Sequence, residues 1–295
     1  MLGFKLDARP AEDVIDLARA TESAGFDQLW VCEDLGLAGG IAQSAAALAV
    51  TDRLEVGLGI APAAVRNPAY LAMELSAVSR LSHGRFHAGI GHGMPNWLTQ
   101  VGQHPRSLMT CLKEVSESVS RLMDGGAVTY HGEQVHLTNV EIAHPPATPR
   151  PLSLGVRGPR GIALAAELGL GVILAEGSTP EYVADVRRQL GPEADITVFV
   201  WSNIDPDDAR AGSDALAEKV SEAVRKPYLA AQLGDLAGAE CSLDAIRRVT
   251  VSGDASTCRE AITRLTGAGA DSVVLQPILG TEERQLDLFG RLLIA

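Results

Sequence analysis

The chain has 295 residues, 46% hydrophobic and 21% charged, with a formal net charge of −12. That length accommodates one α/β barrel domain over residues 1–295, with enough apolar residues for a large core. The acidic balance excludes a general nucleic-acid binder, no apolar run reaches the roughly 18 residues of a membrane span, and the N-terminus lacks a signal-peptide pattern.

In chain order, the first apolar strand covers residues 4–6, and Val14, Leu17, Ala18 and Thr21 then keep a helical stripe. The helix of ATESAGFDQLWVCE (20–33) stops at a glycine just before a strand at 29–32. The alanine-rich IAQSAAALAV packs either on its own barrel or on another chain. A third strand spans 54–60, and Asn67-Pro68 starts the next helix with a capping side chain ahead of a proline. HGRFHAGIGHG (83–93) holds the fourth strand, 86–90. The rhythm then breaks: VTYHGEQVHL alternates around His131-Gly132 like a hairpin, and HPPATPRP is an extended lead into a strand at 152–156.

LAAELGLGVILAE (164–176) repeats the helix–glycine–strand pattern, with its strand at 171–175. Thr179-Pro180 and Asp205-Pro206 start further helices on either side of a strand at 197–201, and Leu216, Val220 and Val224 continue a helical stripe. RLTGAGADSVVLQP (264–277) supplies the eighth strand, 272–276. Glycine tolerates the left-handed turn that ends a helix, and a wholly apolar strand is one covered on both faces. Eight such units give an α/β class, (βα)8 TIM barrel with a short hairpin insertion before the fifth strand; the rival is a doubly wound open sheet. Cys32, Cys111, Cys241 and Cys258 are scattered, which fits a cytoplasmic location and no zinc site.

Active sites of such barrels sit where strands end. CEDLGLAGGIA presents Glu33 and Asp34 there, either to a ligand or as a solvated acid and helix cap. Arg66, after the third strand, reads as an ordinary surface charge. Gly89, Gly91 and Gly93 alternate in GIGHGMPNWL and fall on one face of an extended strand. That face is a floor for a planar ring or phosphate, or a turn needing glycine for its dihedrals. His92 lies in the loop, placed to donate a proton or bond a substrate. His83 and His87 support the strand, and no metal is expected. In GVRGPRGIALAAE, Gly155, Gly158 and Gly161 surround Arg157 and Arg160 at a helix start, a ready anion site. Gly177, Ser178 and Thr179 precede another. Together they point to a phosphorylated planar cofactor, without a Rossmann fingerprint or P-loop.

ESAGFDQLWVCED, TDRLEVGLGIAPAAVRNPAYLAME, LSHGRFHAGIGHG and ELGLGVILAEGSTPEYV resemble, in order and spacing, the successive motifs of the luciferase-like oxidoreductase family. GDASTCREAITRLTGAGADSVVL resembles that family's closing unit. The resemblance implies a dimeric (βα)8 barrel with FMN or coenzyme F-420 at its C-terminal rim. Similarity to the methylenetetrahydromethanopterin reductase branch puts F-420 first and FMN second. By the same resemblance the ring lies over Ala61, Gly91, His92 and Gly93, and Glu33 at its strand end is the cofactor-binding candidate read from the residues. The resemblance puts the phosphate near Gly158 and the loop of Ala175, Glu176, Gly177 and Ser178, with Arg157 the cation that the anion-site reading adds. Gly59-Ile60 is the expected place for a non-prolyl cis peptide. Many relatives carry an acidic residue and then histidine after the second strand, where this chain reads Glu33-Asp34-Leu35; Asp34 and His92 are the candidates for a catalytic role.

The leading expectation is an oxidoreductase passing hydride between F-420 and a small carbonyl, imine or activated alkene. The others are an FMN-dependent monooxygenase, a cofactor-binding protein without turnover, and an unrelated phosphate-binding barrel with a Schiff-base lysine. Lys5 lies within the first strand and Lys113, Lys219 and Lys226 on helices or their ends, so no lysine is placed for the last. The expected partners are a small-molecule substrate and a second copy of the chain, with no nucleic acid and no membrane.

Overall fold

The computed structural model describes residues 1–6, 8–147 and 150–294. Eleven strands are present among them: β1 Leu2–Leu6, β2 Gln28–Val31, β3 Glu55–Pro62, β4 Phe86–Gly91, β5 Val128–His131, β6 His136–Val140, β7 Ser153–Gly155, β8 Gly171–Leu174, β9 Ile196–Ile204, β10 Thr250–Gly253 and β11 Ser272–Pro277. Eight of them pair in parallel in the order β1-β2-β3-β4-β7-β8-β9-β11, and β11 pairs back onto β1. The ring closes, so the structure is the expected (βα)8 barrel and not an open sheet.

Helix starts follow the capping chemistry at two of three expected positions. Asn67 accepts from the Ala69 N–H at 2.9 Å and Thr179 from the Tyr182 N–H at 3.2 Å, each ahead of its proline. Asp205 is a correction. Its carboxylate accepts from the N–H groups of Asp207 and Asp208 in a turn, and the helix Ala209–Asp214 begins later, capped by Asp208. The hairpin of β5 and β6 is present, held down by Glu114, whose carboxylate accepts three backbone N–H bonds from residues 133–135 at 2.7–2.8 Å. The proline-rich lead at 144–151 falls partly outside the described residues. The helix Gly40–Ala49 buries Gly40, Gln43, Ser44, Ala47 and Leu48 on its own barrel.

Inside the ring, alternate residues stack in layers. At the N-terminal end the Glu55 carboxylate meets His87 Nε2 and Arg150 Nη2, each at 2.6 Å, and Trp30 Nε1 donates to Gln28 at 2.9 Å. Above them Trp30, Ile173, Phe199 and Val274 form a dry layer, with Cys32 and Ile60 against its upper side. Large side chains fit there because facing positions are glycine: a Cβ on Gly57 would lie 2.3 Å from the Trp30 ring. Between β9 and β10 the chain leaves the barrel to build a helical insert with its own core of Leu216, Val220, Val224, Leu233, Ile246 and neighbours. The closing strand of that insert, β10, pairs with the upper half of β9, a strand the apolar pattern did not reveal.

Candidate active site

The mouth lies where the C-terminal ends of the ring strands open. On the β3–β4 side the glycines behave differently from a bare floor. A Cβ on Gly89 would sit 2.4 Å from Ile173 Cδ1 and 2.6 Å from the Leu58 carbonyl, and one on Gly91 or Gly155 would strike Ile60. Their missing side chains therefore seat Ile60, so the Ile60 side chain rather than bare glycine backbone forms the surface presented there. The peptide between Gly59 and Ile60 is cis, as the family pattern implied, and the β3–β4 register shifts between Leu58 and Ala61. Ala61 is buried against Ile90 and offers backbone alone. Gly93 does need its freedom, at φ 70°.

Glu33 sits at the end of β2 and is gripped by Arg66, whose Nε also reaches Glu74 at 3.2 Å. Arg66 is thus a structural partner of the mouth, not an ordinary surface charge. The second carboxylate oxygen of Glu33, Oε2, is buried and has no hydrogen-bond partner among the described residues. A buried acceptor of that kind costs free energy until a donor arrives. Asp34 begins the following turn, its carbonyl accepting from Leu37 at 3.0 Å.

His92 is half-buried and its Nδ1 contacts the Leu108 carbonyl at 3.2 Å. A carbonyl only accepts, so Nδ1 carries the proton and Nε2 keeps a lone pair. Burial lowers its pKa, outweighing that hydrogen bond, and the nearby Arg160 charge lowers it further. His92 is therefore neutral at pH 7. His87 lies at the opposite end with Glu55, and His83 occupies a left-handed turn at φ 53°.

Across the mouth, Gly158 heads the ten-residue helix Pro159–Leu168, with open space where a side chain would be. Arg157 stands beside it, its guanidinium 5.5 Å from the Tyr228 ring of the insert. The next loop is turned inward. Ser178 donates to the Ala175 carbonyl at 2.8 Å, and Thr179 caps its helix. Gln232 of the insert donates through Nε2 to the Glu176 carbonyl, while its own backbone carbonyl accepts from Thr179. Gly177, at φ 88°, lets the loop lie against Gln232 and Trp201. The Ser178 and Thr179 hydroxyls are thereby committed within the protein.

The Glu176 carboxylate points into the barrel, 2.8 Å from Lys5 Nζ. Lys5 also donates to Gln276 at 3.1 Å and stands 5.3 Å from the Phe199 ring centroid. Burial alone would raise the Glu176 carboxyl, but Lys5 and Arg157 hold it below its usual value. Lys5, Arg66 and Gln232 are mouth residues that the sequence reading did not select; a charged residue between Phe4 and Leu6 in an apolar strand was the available signal for the first. No cluster of three metal-ligating side chains occurs among the described residues.

The model of the luciferase-like monooxygenase family matches residues 4–272. The chain belongs to that family. Among similar proteins is 5,10-methylenetetrahydromethanopterin reductase of Methanopyrus kandleri, 22% identical over 336 residues, covering 97% of this chain and 94% of that one. An F-420-dependent secondary alcohol dehydrogenase, solved with an F-420–acetone adduct, superposes with a TM-score of 0.82 at 21% identity, covering 99% of this chain and 98% of the other. The FMN-bound oxygenating constituent of 3,6-diketocamphane monooxygenase from Pseudomonas putida superposes at 0.75 with 16% identity, covering 98% and 96%. These likenesses fit the same barrel fold.

Proposed function

We propose that this member of the family is an F-420-dependent oxidoreductase that passes hydride between the deazaflavin and a small carbonyl, imine or activated alkene. Similarity to the methanopterin reductase over nearly the whole chain supports the cofactor. The observation that carries the reading is the buried Glu33 Oε2, without a partner among the described residues, at the end of a strand of the mouth that also holds an open helix start at Gly158 and the cation of Arg157. That donor set fits a phosphorylated planar heterocycle: Glu33 accepts from a ring N–H, and Gly158 with Arg157 takes the phosphate.

Ile60 and the backbone of Ala61, Gly91 and Gly93 bear one face of the ring. F-420, when bound, supplies a hydride-exchanging carbon and lacks the ring nitrogen used in oxygen chemistry. His92, neutral with its lone pair on Nε2, accepts a hydrogen bond from the bound ring or substrate. Asp34 stands beside the mouth as a further acid. Ala175, Gly177 and Ser178 shape the loop after β8, next to the loop of Arg157, and the Glu176 carboxylate, facing Lys5, is reassigned from the phosphate to the substrate side.

No helix among the described residues is long and apolar enough to cross a membrane. The helix Pro68–Leu81 exposes Tyr70, Met73 and Leu81 along one stripe, and we assign that stripe to a homodimer contact in a cytoplasmic enzyme. The test is equilibrium binding of F-420 and of FMN to the purified chain, followed by fluorescence. Micromolar or tighter F-420 binding with little FMN binding is expected. A preference for FMN moves the monooxygenase reading ahead, and binding of neither removes the redox assignment.

A further inference from the structure

We propose that Lys5 is the acid that faces the substrate's carbonyl or imine group, and that Glu176 is the residue that positions it. This rests on the oxidoreductase reading above and names the substrate-side chemistry of the same mouth.

Four observations carry it. First, Lys5 occupies an interior position of β1, where barrels normally place branched apolar side chains. Second, its Nζ stands immediately above the dry layer, 5.3 Å from Phe199, so it is the floor of the mouth on the β8–β9–β11–β1 side. Third, the pair is enclosed but not sealed: the side chains of Lys5 and Glu176 keep 9% and 15% of their exposure. A small molecule entering the mouth meets them. Fourth, the imidazole of the mouth, His92, has its one proton committed to Leu108. It serves as an acceptor and does not compete with Lys5 as a donor.

A buried ion pair seldom adds stability over apolar residues of the same size. Its presence directly above the apolar layer of Trp30, Ile173, Phe199 and Val274 calls for a chemical reason. In the reductive direction, a bound reduced deazaflavin would supply the hydride for the new C–H bond, and the carbonyl π pair would pass to oxygen. That oxygen takes a proton from Nζ, so an O–H bond forms as an N–H bond breaks, and the amine regains its proton from water. Glu176 keeps the ammonium in place and charged. Because the pair is neutral as a whole, it favours a neutral carbonyl over an anion.

Gln232 strengthens the assignment. Its side chain is buried, Nε2 is spent on the Glu176 carbonyl, and Oε1 has no partner among the described residues. The same cluster thus offers a donor, Lys5, and an unmet acceptor, Gln232, which suits a small substrate bearing both a carbonyl and a hydroxyl or N–H.

The experiment uses the full chain, with cyclohexanone and acetate as probes followed by saturation-transfer NMR, beside F-420 binding by fluorescence. In Lys5→Met, F-420 affinity is expected within about threefold of wild type and cyclohexanone binding lost by about tenfold or more, with a lowered melting temperature because Glu176 is left enclosed without its cation. Glu176→Gln leaves an uncompensated ammonium and is expected to gain about tenfold in acetate affinity. Cyclohexanone binding that is absent in wild type, or retained in Lys5→Met, overturns the proposal. So does a Glu176→Gln chain that gains no acetate affinity, a readout independent of how Lys5→Met folds. If wild type binds no F-420 yet the probes behave as expected, the cofactor reading falls and the carbonyl site at Lys5 stands.

Discussion

The two ends of this barrel use the same side-chain chemistry to opposite effect. At the N-terminal end Glu55 is saturated by His87 and Arg150, and burial is overcome so completely by those hydrogen bonds that its pKa is brought to about 2. At the C-terminal end Glu33 has a cation too, Arg66, yet keeps one oxygen buried and unmet. A closed network holds the ring together, whereas the open one leaves an acceptor unmet among the described residues. The difference matches the division of barrels into a stability face and a chemical face.

That contrast can be broken at either end. The largest effect is expected from Gly89→Ala, whose methyl would meet the Leu58 carbonyl and Ile173 at once. A loss of about 3 kcal/mol in urea denaturation is expected. A loss below about 1 kcal/mol would mean the glycines are not there for packing.

Next is Glu55→Gln, expected to cost about 2 kcal/mol of stability by stranding His87 and Arg150, with F-420 binding untouched. The folded pKa of Glu55 lies below its unfolded value near 4.5, so its stabilisation is full above that value and drains away as pH falls toward about 2. Denaturation midpoints across that window should fall in wild type and flatten in the variant. Equal slopes would remove Glu55 from the acid response.

A smaller change is expected from Glu33→Gln, which keeps the shape but loses the charge-assisted acceptor: about tenfold weaker F-420 binding in a fluorescence titration. Unaltered affinity would place the ring elsewhere. The smallest is Arg157→Gln, with affinity down about fivefold and its salt dependence reduced, because a half-exposed cation is partly screened. An unchanged salt slope would move the phosphate away from Gly158.

Much of this was legible in the sequence because backbone requirements leave local marks. The glycine-terminated helices, the Asn67-Pro68 and Thr179-Pro180 starts and the hairpin at His131-Gly132 are all decided within a few residues. The candidate loops after the second, fourth and fifth strands were likewise readable, since strand ends follow from the apolar runs. What was not legible depends on contacts across the ring. Gly89 and Gly91 are visible as glycines, but only the closed barrel brings Ile60 onto them. Arg66 looks like any surface arginine until Glu33 is folded against it. Lys5 meets Glu176 across 171 residues of chain. The strand β10 is short and contains Ser252 and Gly253, so periodicity had nothing to register.

The helical insert leaves the ring after Ile204 and returns at Thr250, and the two junctions are laddered side by side, with Asp205 N–H donating to the Gly253 carbonyl at 2.9 Å. Departure and return at one hydrogen-bonded seam close the insert on itself, leaving Tyr228 and Gln232 as its contacts with the loops of Arg157 and Glu176. Evolution, or an engineer, can lengthen, shorten or exchange it while the seam stays shut, and the strand ends that carry Glu33, Ile60 and His92 need not move.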